Sequence, residues 1–415
     1  MSESIATVVN VRWTTDEPTV GRVRYGTSGE LPLETPPETE PTRDHSVYLL
    51  GLTSDTEYRY RAVTGREGNG TASEVGSITT GALPAELPTL SRRGTGLDQL
   101  IVVPVLGSTT AVLVIDPAGE IVWYHTDDRS FDFYRARLSR DGASLLYNAA
   151  SVSGDPAEDS ELVRVALDGT SQTSIPVPLL AHDFVELPDG TLAAIVVDYR
   201  DVAGTRVRGD SIVEVDPTGT QRTVWSAWDC FDPSMAAGDS TDQGWTFANA
   251  LDYDTRDDAY YLGLRNLGSI TKIDRTTGTC EWVLGGNAST FDFASGSSRF
   301  LHQHQFDVFG DHVLVMDNDG SLADESRVLE YVLDLDAHLA TEIWSYVAEP
   351  PVYTFVLGEP SRLENGDTFV NWSTAGQMEL VDPSGTPHWQ LNTNVGFAFG
   401  FHTLADTLYP TNGQR

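Results

Sequence analysis

A single lysine, Lys272, stands in this 415-residue chain, and every other basic side chain except histidine is arginine. With 26 basic against 61 acidic residues, the net charge is −35 and the pI about 4.3. A surface of that sign repels nucleic acid and anionic membranes, so neither is an expected partner. No apolar stretch approaches the roughly 18 residues that would suggest a membrane span, so no membrane insertion is expected. The first residues, MSESIATVVN, show neither a basic segment nor a long apolar run, so no signal segment is visible there. A chain trimmed of such a segment would read the same. Cysteine is limited to Cys230 and Cys280, which allows one bridge at most. If the chain is exported, that bridge closes a loop of about 50 residues and contributes roughly 3–4 kcal/mol through loop entropy. The other reading is two buried free thiols.

What the chain does have is a repeat. VLVIDPAGEIVWYH begins at Val112, LVRVALDGTSQTSI at Leu162, IVEVDPTGTQRTVWSA at Ile212, ITKIDRTTGTCEWVLGG at Ile270, RVLEYVLDLDAHLATEIWSY at Arg327 and QMELVDPSGTPHWQL at Gln377. Each copy reads as a strand, a polar turn usually carrying Asp and Gly, and a second strand that often ends at Trp. The turn residues are those of a tight hairpin. Self-similarity at a spacing of 50 to 58 residues predicts an antiparallel blade per repeat. The expected fold is all-β, a six-bladed β-propeller preceded by a small β-sandwich. The Asp-Pro-x-Gly turns at 116–119, 216–219 and 382–385 are read as hairpin geometry without a functional role.

Residues 1–84 carry a different pattern. TVVNVRWTTDEPTVGRVRYG alternates apolar and polar residues, breaks at Asp16-Glu17-Pro18 and alternates again. HSVYLLGLTSDTEYRYRAVT does the same around Leu50-Gly51-Leu52, and ASEVGSITT supplies a last strand. Short strands with turns at this spacing predict a β-sandwich. The order V-x-W, V-x-Y-G, L-x-G-L, T-x-Y-x-Y-R resembles a fibronectin type III domain. Such modules act as spacers or docking units, so no chemistry is assigned to it. GALPAELP (81–88) reads as the linker, and residues 85–415 as the propeller. The C-terminal FAFGFHTLADTLYP is expected to close the ring by adding a strand to the first blade, which removes free sheet edges.

Ahead of five of the repeats lies a second strand pair, read as the inner part of a blade. These pairs begin at Phe133, Leu179, Thr246, His302 and Val356. The residues leading into the inner strands, Tyr134, His182, Phe247, His304 and Gly358, are expected to face the channel. A single strand histidine is usually a hydrogen-bonded structural group. Two of them converging on one axis, with Arg265 between, point to a site.

The stretch YYLGLRNLGSITKIDRTTGTCEWVLGG, then HQHQFDVFGDHVLVMDNDG, then SRVLEYVLD, resembles the core of bacterial arylsulfate sulfotransferases. The resemblance runs from about 182 to 335; outside it, only the repeat pattern agrees. It implies nucleotide-independent (PAPS-independent) transfer of a sulfuryl group from an aryl sulfate to a phenol, by a ping-pong route through a sulfohistidine. It implies His304 as the nucleophile, His182 as a group that holds the sulfuryl oxygens or acts on the phenol, and Arg265 as the anion's partner. No organic cofactor is implied, and family members are exported, so a secreted, periplasmic or cell-surface setting is expected. A neutral imidazole is a competent nucleophile near neutral pH. The transferred group is anionic and needs fixed donors and a permanent cation. On so acidic a protein that demands a local positive island, to which Arg137 or Arg299 are further candidates.

One position departs from the family pattern Asp-Trp-x-His-x-Asn. Here the run is Gly244-Trp245-Thr246-Phe247-Ala248-Asn249, with Phe247 in place of a sulfuryl-binding histidine. That removes a charge-assisted donor, while the ring is able to stack on an aromatic substrate. The expected substrate-binding residues are Phe247, Trp245, Asn249, Tyr134 and Asn318.

Two rivals remain on the residues alone. His302-Gln303-His304 is an H-x-H pair, and with His182 or His402 it would make a three-histidine metal site if 302 and 304 share a strand face. Asp317-Asn318-Asp319-Gly320, with Glu325 beyond, faintly resembles a calcium loop but also matches the family's own motif, and is read as structural. The second rival is a non-catalytic binding propeller, with Tyr134, Trp245 and Phe247 receiving an aromatic or carbohydrate ligand.

Overall fold

In the computed structural model, each repeat folds as two adjacent antiparallel strands on the outer side of a sheet, with one more strand beyond them in the fifth and sixth sheets. The structure describes residues 2–410 apart from 3, 66–69, 108, 128, 130, 152–156, 237–243, 320–324 and 395. Six sheets of four or five strands follow one another along the chain as blades 1 to 6 of a propeller. Blade 2 shows the plan: Asp132–Leu138 innermost, then Ser144–Ala150, Glu161–Ala166 and Gln172–Pro176. Blade 3 starts at Leu180–Glu186, blade 4 at Ala248–Asp254, blade 5 at Phe306–Phe309 and blade 6 at Glu359–Arg362.

The repeated turns hold by one device. Asp116, Asp216 and Asp382 each accept two backbone N–H groups from their own turn through Oδ1, at 2.8 to 2.9 Å. The glycine of each turn, Gly119, Gly219 and Gly385, sits at φ 86°, where a Cβ would be strained. Three of the tryptophans at the ends of the repeats bond to the next blade. Trp123 Nε1 donates to Leu167 O at 2.8 Å, Trp344 to Pro383 O at 3.2 Å, and Trp389 to Pro117 O at 3.0 Å.

Blade 1 is built from both ends of the propeller. Its strands Leu100–Leu106, Ala111–Ile115 and Ile121–Thr126 gain Ala398–Phe399 and Thr403–Ala405 on the inner edge. The expected closure is present, and a second one accompanies it: Leu90–Gly94 pairs with Pro387–Thr393 as the outermost strand of blade 6.

The N-terminal strands form two sheets, Val9–Thr19 with Thr42–Leu49, and a five-stranded sheet centred on Gly21–Gly26 and Glu57–Thr64. Val9, Val11, Val23, Tyr25, Val47, Leu49, Leu52 and Tyr58 are buried between them. The expected break at Asp16-Glu17-Pro18 is instead a register irregularity between Thr14 and Thr19 within one strand. A proline is tolerated at such a place. This unit sits on the propeller through Ile5, Val8 and Leu50, which join the core cluster of blade 1, and through Leu50 N, which donates to Tyr409 Oη at 2.9 Å.

Cys230 and Cys280 are joined in a disulfide that ties blade 3 to blade 4, with Cα atoms 6.3 Å apart.

Candidate active site at the channel mouth

The lead-ins to the inner strands carry unusual backbone. Leu179, Phe247, His302 and Leu357, one in each of blades 3 to 6, all have φ between 47° and 60°. Non-glycine residues adopt that region at a cost, and such residues cluster at functional sites. Just past these turns the inner strands bring side chains to the axis.

A cavity of about 250 Å³ opens there, lined by Leu106, Asp132, Tyr134, His182, Phe247, Arg265, His304, Phe355, Val356, Leu357 and Phe397. A larger hollow, about 1110 Å³, lies between outer turns of blades 2 to 4, but surface groups such as the Arg164–Glu186 ion pair line it and no histidine does. The two histidines and Arg265 expected from the sequence line the smaller one.

His304 is 1% exposed. Its Nδ1 lies 2.8 Å from Asn318 Oδ1. The Asn318 amide is oriented because its Nδ2 donates to Thr354 O at 2.7 Å and Leu357 O at 2.9 Å. An oxygen therefore faces the ring, Nδ1 is the donor, and Nε2 carries the lone pair. Burial, and then the Arg265 charge, push the His304 imidazole well below its ordinary pKa, so it is neutral. His182 is lowered to about 3, by burial first and next by the charge of Arg208.

The walls form a chain of rings. Tyr134 lies 5.2 Å from His182, His182 lies edge-on to Phe247 at 4.9 Å, and the Arg265 guanidinium stands 5.7 Å from the centre of Phe247. Arg265 donates from Nη1 to Asn266 Oδ1 at 3.1 Å. His182 Nδ1 and Arg265 Nε are buried without a hydrogen-bond partner in the protein. Both residues line the cavity, so these groups are available to a polar ligand there.

Beneath the histidines the axis is filled. Arg135, 1% exposed, donates from Nε to Asp183 at 2.9 Å and from both terminal nitrogens to Glu359 at 3.0 Å. Gln305 also donates to Asp183, as do the backbone N–H groups of Phe184 and Leu251. Burial alone would raise the Asp183 carboxyl, but the charges of Arg135 and then Arg137, with hydrogen bonds from Arg135 and Leu251 N, hold it below its usual range. Glu359 shares the same arginine, but burial raises it to about 7. Gly400 lets the closing strand pass: an added Cβ there would lie 2.6 Å from Tyr134 O.

The structure thus brings His304, His182, Arg265, Phe247 and Tyr134 to one cavity. It places three other expected residues behind the wall. Trp245 packs edge-on against Trp228 at 5.2 Å, Asn249 donates to Gln303 O at 2.7 Å, and Asn318 holds His304. None of the three lines the cavity. Neither extra arginine lines it. Arg137 donates to Phe184 O below the ionic plug, and Arg299 lies over Phe293 at 4.5 Å. The cation missed in the sequence is Arg208, buried in blade 3, whose charge falls on His182. Its strand, Thr205–Val215, also carries Arg206, Asp210 and Glu214, so no sequence signal set Arg208 apart.

The three-histidine metal site of His182, His302 and His304 is not assembled. Among the described residues, no group of three His, Cys, Asp or Glu side chains is placed to hold a metal. His302 and His304 do not share a strand face, because the strand begins only at Phe306 and His302 stands in a left-handed turn, paired with Asp319. His402 lies in the plug, 3.2 Å from Glu359. In the suggested calcium loop, Asp317 is paired with Arg327 at 2.8 Å, and Gly320 lies outside the described residues.

The arylsulfotransferase (ASST) family profile matches residues 92–394. The chain belongs to the arylsulfotransferase family. No curated protein matches it significantly. Among solved structures, a Bacteroides caccae protein of unknown function is 14% identical, with a TM-score of 0.50, over 75% of this chain and all of that one. A Staphylococcus aureus virginiamycin B lyase is 11% identical, TM-score 0.41, over 72% of this chain and 87% of its own. The Swd1 β-propeller domain of Myceliophteria thermophila is also 11% identical, TM-score 0.40, over 72% and 88%. At 14% identity, the likeness to the Bacteroides caccae protein concerns the fold alone. The matched arylsulfotransferase segment contains every residue of the cavity wall except Phe397.

Proposed function

We propose that this arylsulfotransferase-family chain moves a sulfuryl group from an aryl sulfate ester to a phenolic acceptor, with no nucleotide donor. One observation carries the reading: a neutral His304, with Nδ1 engaged by Asn318 and Nε2 free, shares a cavity with Arg265 and His182. Nε2 attacks sulfur, the S–O(aryl) bond breaks, and the phenolate leaves with the electron pair and takes up a proton. An acceptor phenol then gives up its proton, attacks the sulfohistidine, and the N–S bond returns its pair to Nε2. Arg265 stays cationic and meets the sulfuryl oxygens. Its position over Phe247, and the nearby charge of Arg208, support the site where the family pattern has a histidine.

The test is release of 4-nitrophenol from 4-nitrophenyl sulfate, with and without added phenol. Phenol-dependent release in the wild type, reduced at least about a thousandfold in His304→Ala, is expected. Wild-type protein that binds the ester but never releases nitrophenol is a ligand-binding propeller, and the transfer reading fails.

We also propose that the chain works outside the reducing cytoplasm, supported by the Cys230–Cys280 disulfide. Protein purified without reductant should show no free thiol by Ellman titration; two free thiols count against export.

A further inference from the structure

Two phenylalanines stand in solvent at the cavity mouth. Phe355 is 47% and Phe397 45% exposed, and no other phenylalanine is exposed among the described residues. They come from separate loops, one leading into blade 6 and the other into the closing strand Ala398–Phe399. Their ring centres are 6.1 Å apart and their planes at 69°. Both line the same cavity as His304 and Arg265. Exposed aromatic surface held as a pair at the edge of a cavity marks a binding site.

The cavity's size says what the pair is for. About 250 Å³ is below the range of roughly 300–1,000 Å³ that drug-sized ligands occupy. It accommodates one ring with its sulfuryl group, so a larger ester extends past the rim. The rim on the blade 2 side carries Asp132, whose carboxylate accepts from Tyr134 Oη at 3.0 Å. On a chain of net charge −35 this edge opposes a second anionic group on the ligand.

Resting on the sulfuryl-transfer reading, we propose that Phe355 and Phe397 form an aryl clamp that makes two-ring aryl sulfates, uncharged beyond the sulfate ester, the preferred donors. The first ring and its sulfuryl group lie in the well beside His304. The second ring lies edge or face against the phenylalanine pair.

The experiment compares kcat/KM for phenyl sulfate, 2-naphthyl sulfate and 6-carboxy-2-naphthyl sulfate; phenol and 2-naphthol are leaving groups of similar acidity. Binding of 2-naphthol, read from its own fluorescence, runs in parallel and needs no turnover. The naphthyl-over-phenyl ratio should fall about tenfold in the Phe355→Ala/Phe397→Ala double variant. The ratio should hold in Leu335→Ala, a change at an exposed residue in an outer turn of blade 5. The carboxylated ester should be the poorest donor, and Asp132→Asn should narrow its deficit. A ratio unchanged in the double variant overturns the clamp, as does a carboxylated ester that reacts as well as the naphthyl one. If no ester turns over but 2-naphthol binding weakens in the double variant, the transfer reading fails and the clamp stands. Binding indifferent to both phenylalanines removes the clamp in either case.

Discussion

On the proposed transfer reading, the protonation state of His304 decides whether the site can react. A protonated imidazole has no lone pair to offer sulfur. Burial and Arg265 lower its pKa well below 6.5, so the neutral form persists as pH falls through the range where an ordinary histidine would charge. The expected profile of kcat/KM for 4-nitrophenyl sulfate has no acid limb near 6.5. An unperturbed imidazole would lose about tenfold by one pH unit below its pKa. A tenfold fall between pH 7.5 and 5.5 with a midpoint near 6.5 would count against this assignment. At this scale the sequence disclosed His304, His182, Phe247 and Tyr134, because each sits at a lead-in whose position the repeat predicts, and Arg265 through the family resemblance, at the end of a blade's second strand. It did not disclose Phe355, Phe397 or Asp132, which come from connecting loops or a strand's first residue, where no periodicity operates. It misplaced His302 because alternation presumes a strand, and the backbone there turns left-handed before the strand starts.

Between elements, the inner strands are joined by polar contacts that a hydrophobic pattern does not reveal. Asn148 of blade 2 donates to Ala181 O and His182 O of blade 3, and Asn371 of blade 6 donates to Gly400 O at the closing strand. Asn318 of blade 5 does the same toward blade 6 while orienting His304. Asparagine at the end of a blade's second strand is thus a joint, which explains why Asn318 looked like a site residue and sits one layer behind it. Arg135 is the central joint, linking blade 2 to Asp183 in blade 3 and Glu359 in blade 6. Arg135→Met leaves two buried carboxylates without their cation and should cost about 3–5 kcal/mol in urea unfolding. Adding Glu359→Gln and Asp183→Asn should recover part of the loss, since the penalty is uncompensated charge. A single variant within 0.5 kcal/mol of wild type, taking that as roughly the additivity error, would show that the network carries little stability. The outer hairpins were legible from sequence for the opposite reason: their Asp and Gly act locally, within one turn.

For the whole molecule, the ring is fastened twice, by the C-terminal strands inside blade 1 and by Leu90–Gly94 outside blade 6. The inner fastening was visible because the C-terminal residues alternate; the outer one was hidden in Leu90–Gly94, where only Leu90 is apolar. Ending the chain at residue 397 strips the inner partner from Leu100–Leu106 and removes Phe401, over which Arg135 lies at 4.9 Å. Such a chain should lose single-step thermal unfolding and elute as aggregate on size exclusion; a monomer with wild-type unfolding would mean the closure is dispensable. The plug of Arg135, Asp183, Glu359 and Gln305 has a further consequence, in the traffic of small molecules. The passage past His304 is a well with one door. On the proposed transfer reading, a spent phenol leaves by the opening its successor uses, so donor and acceptor would queue for the same space and an excess of either would block the other.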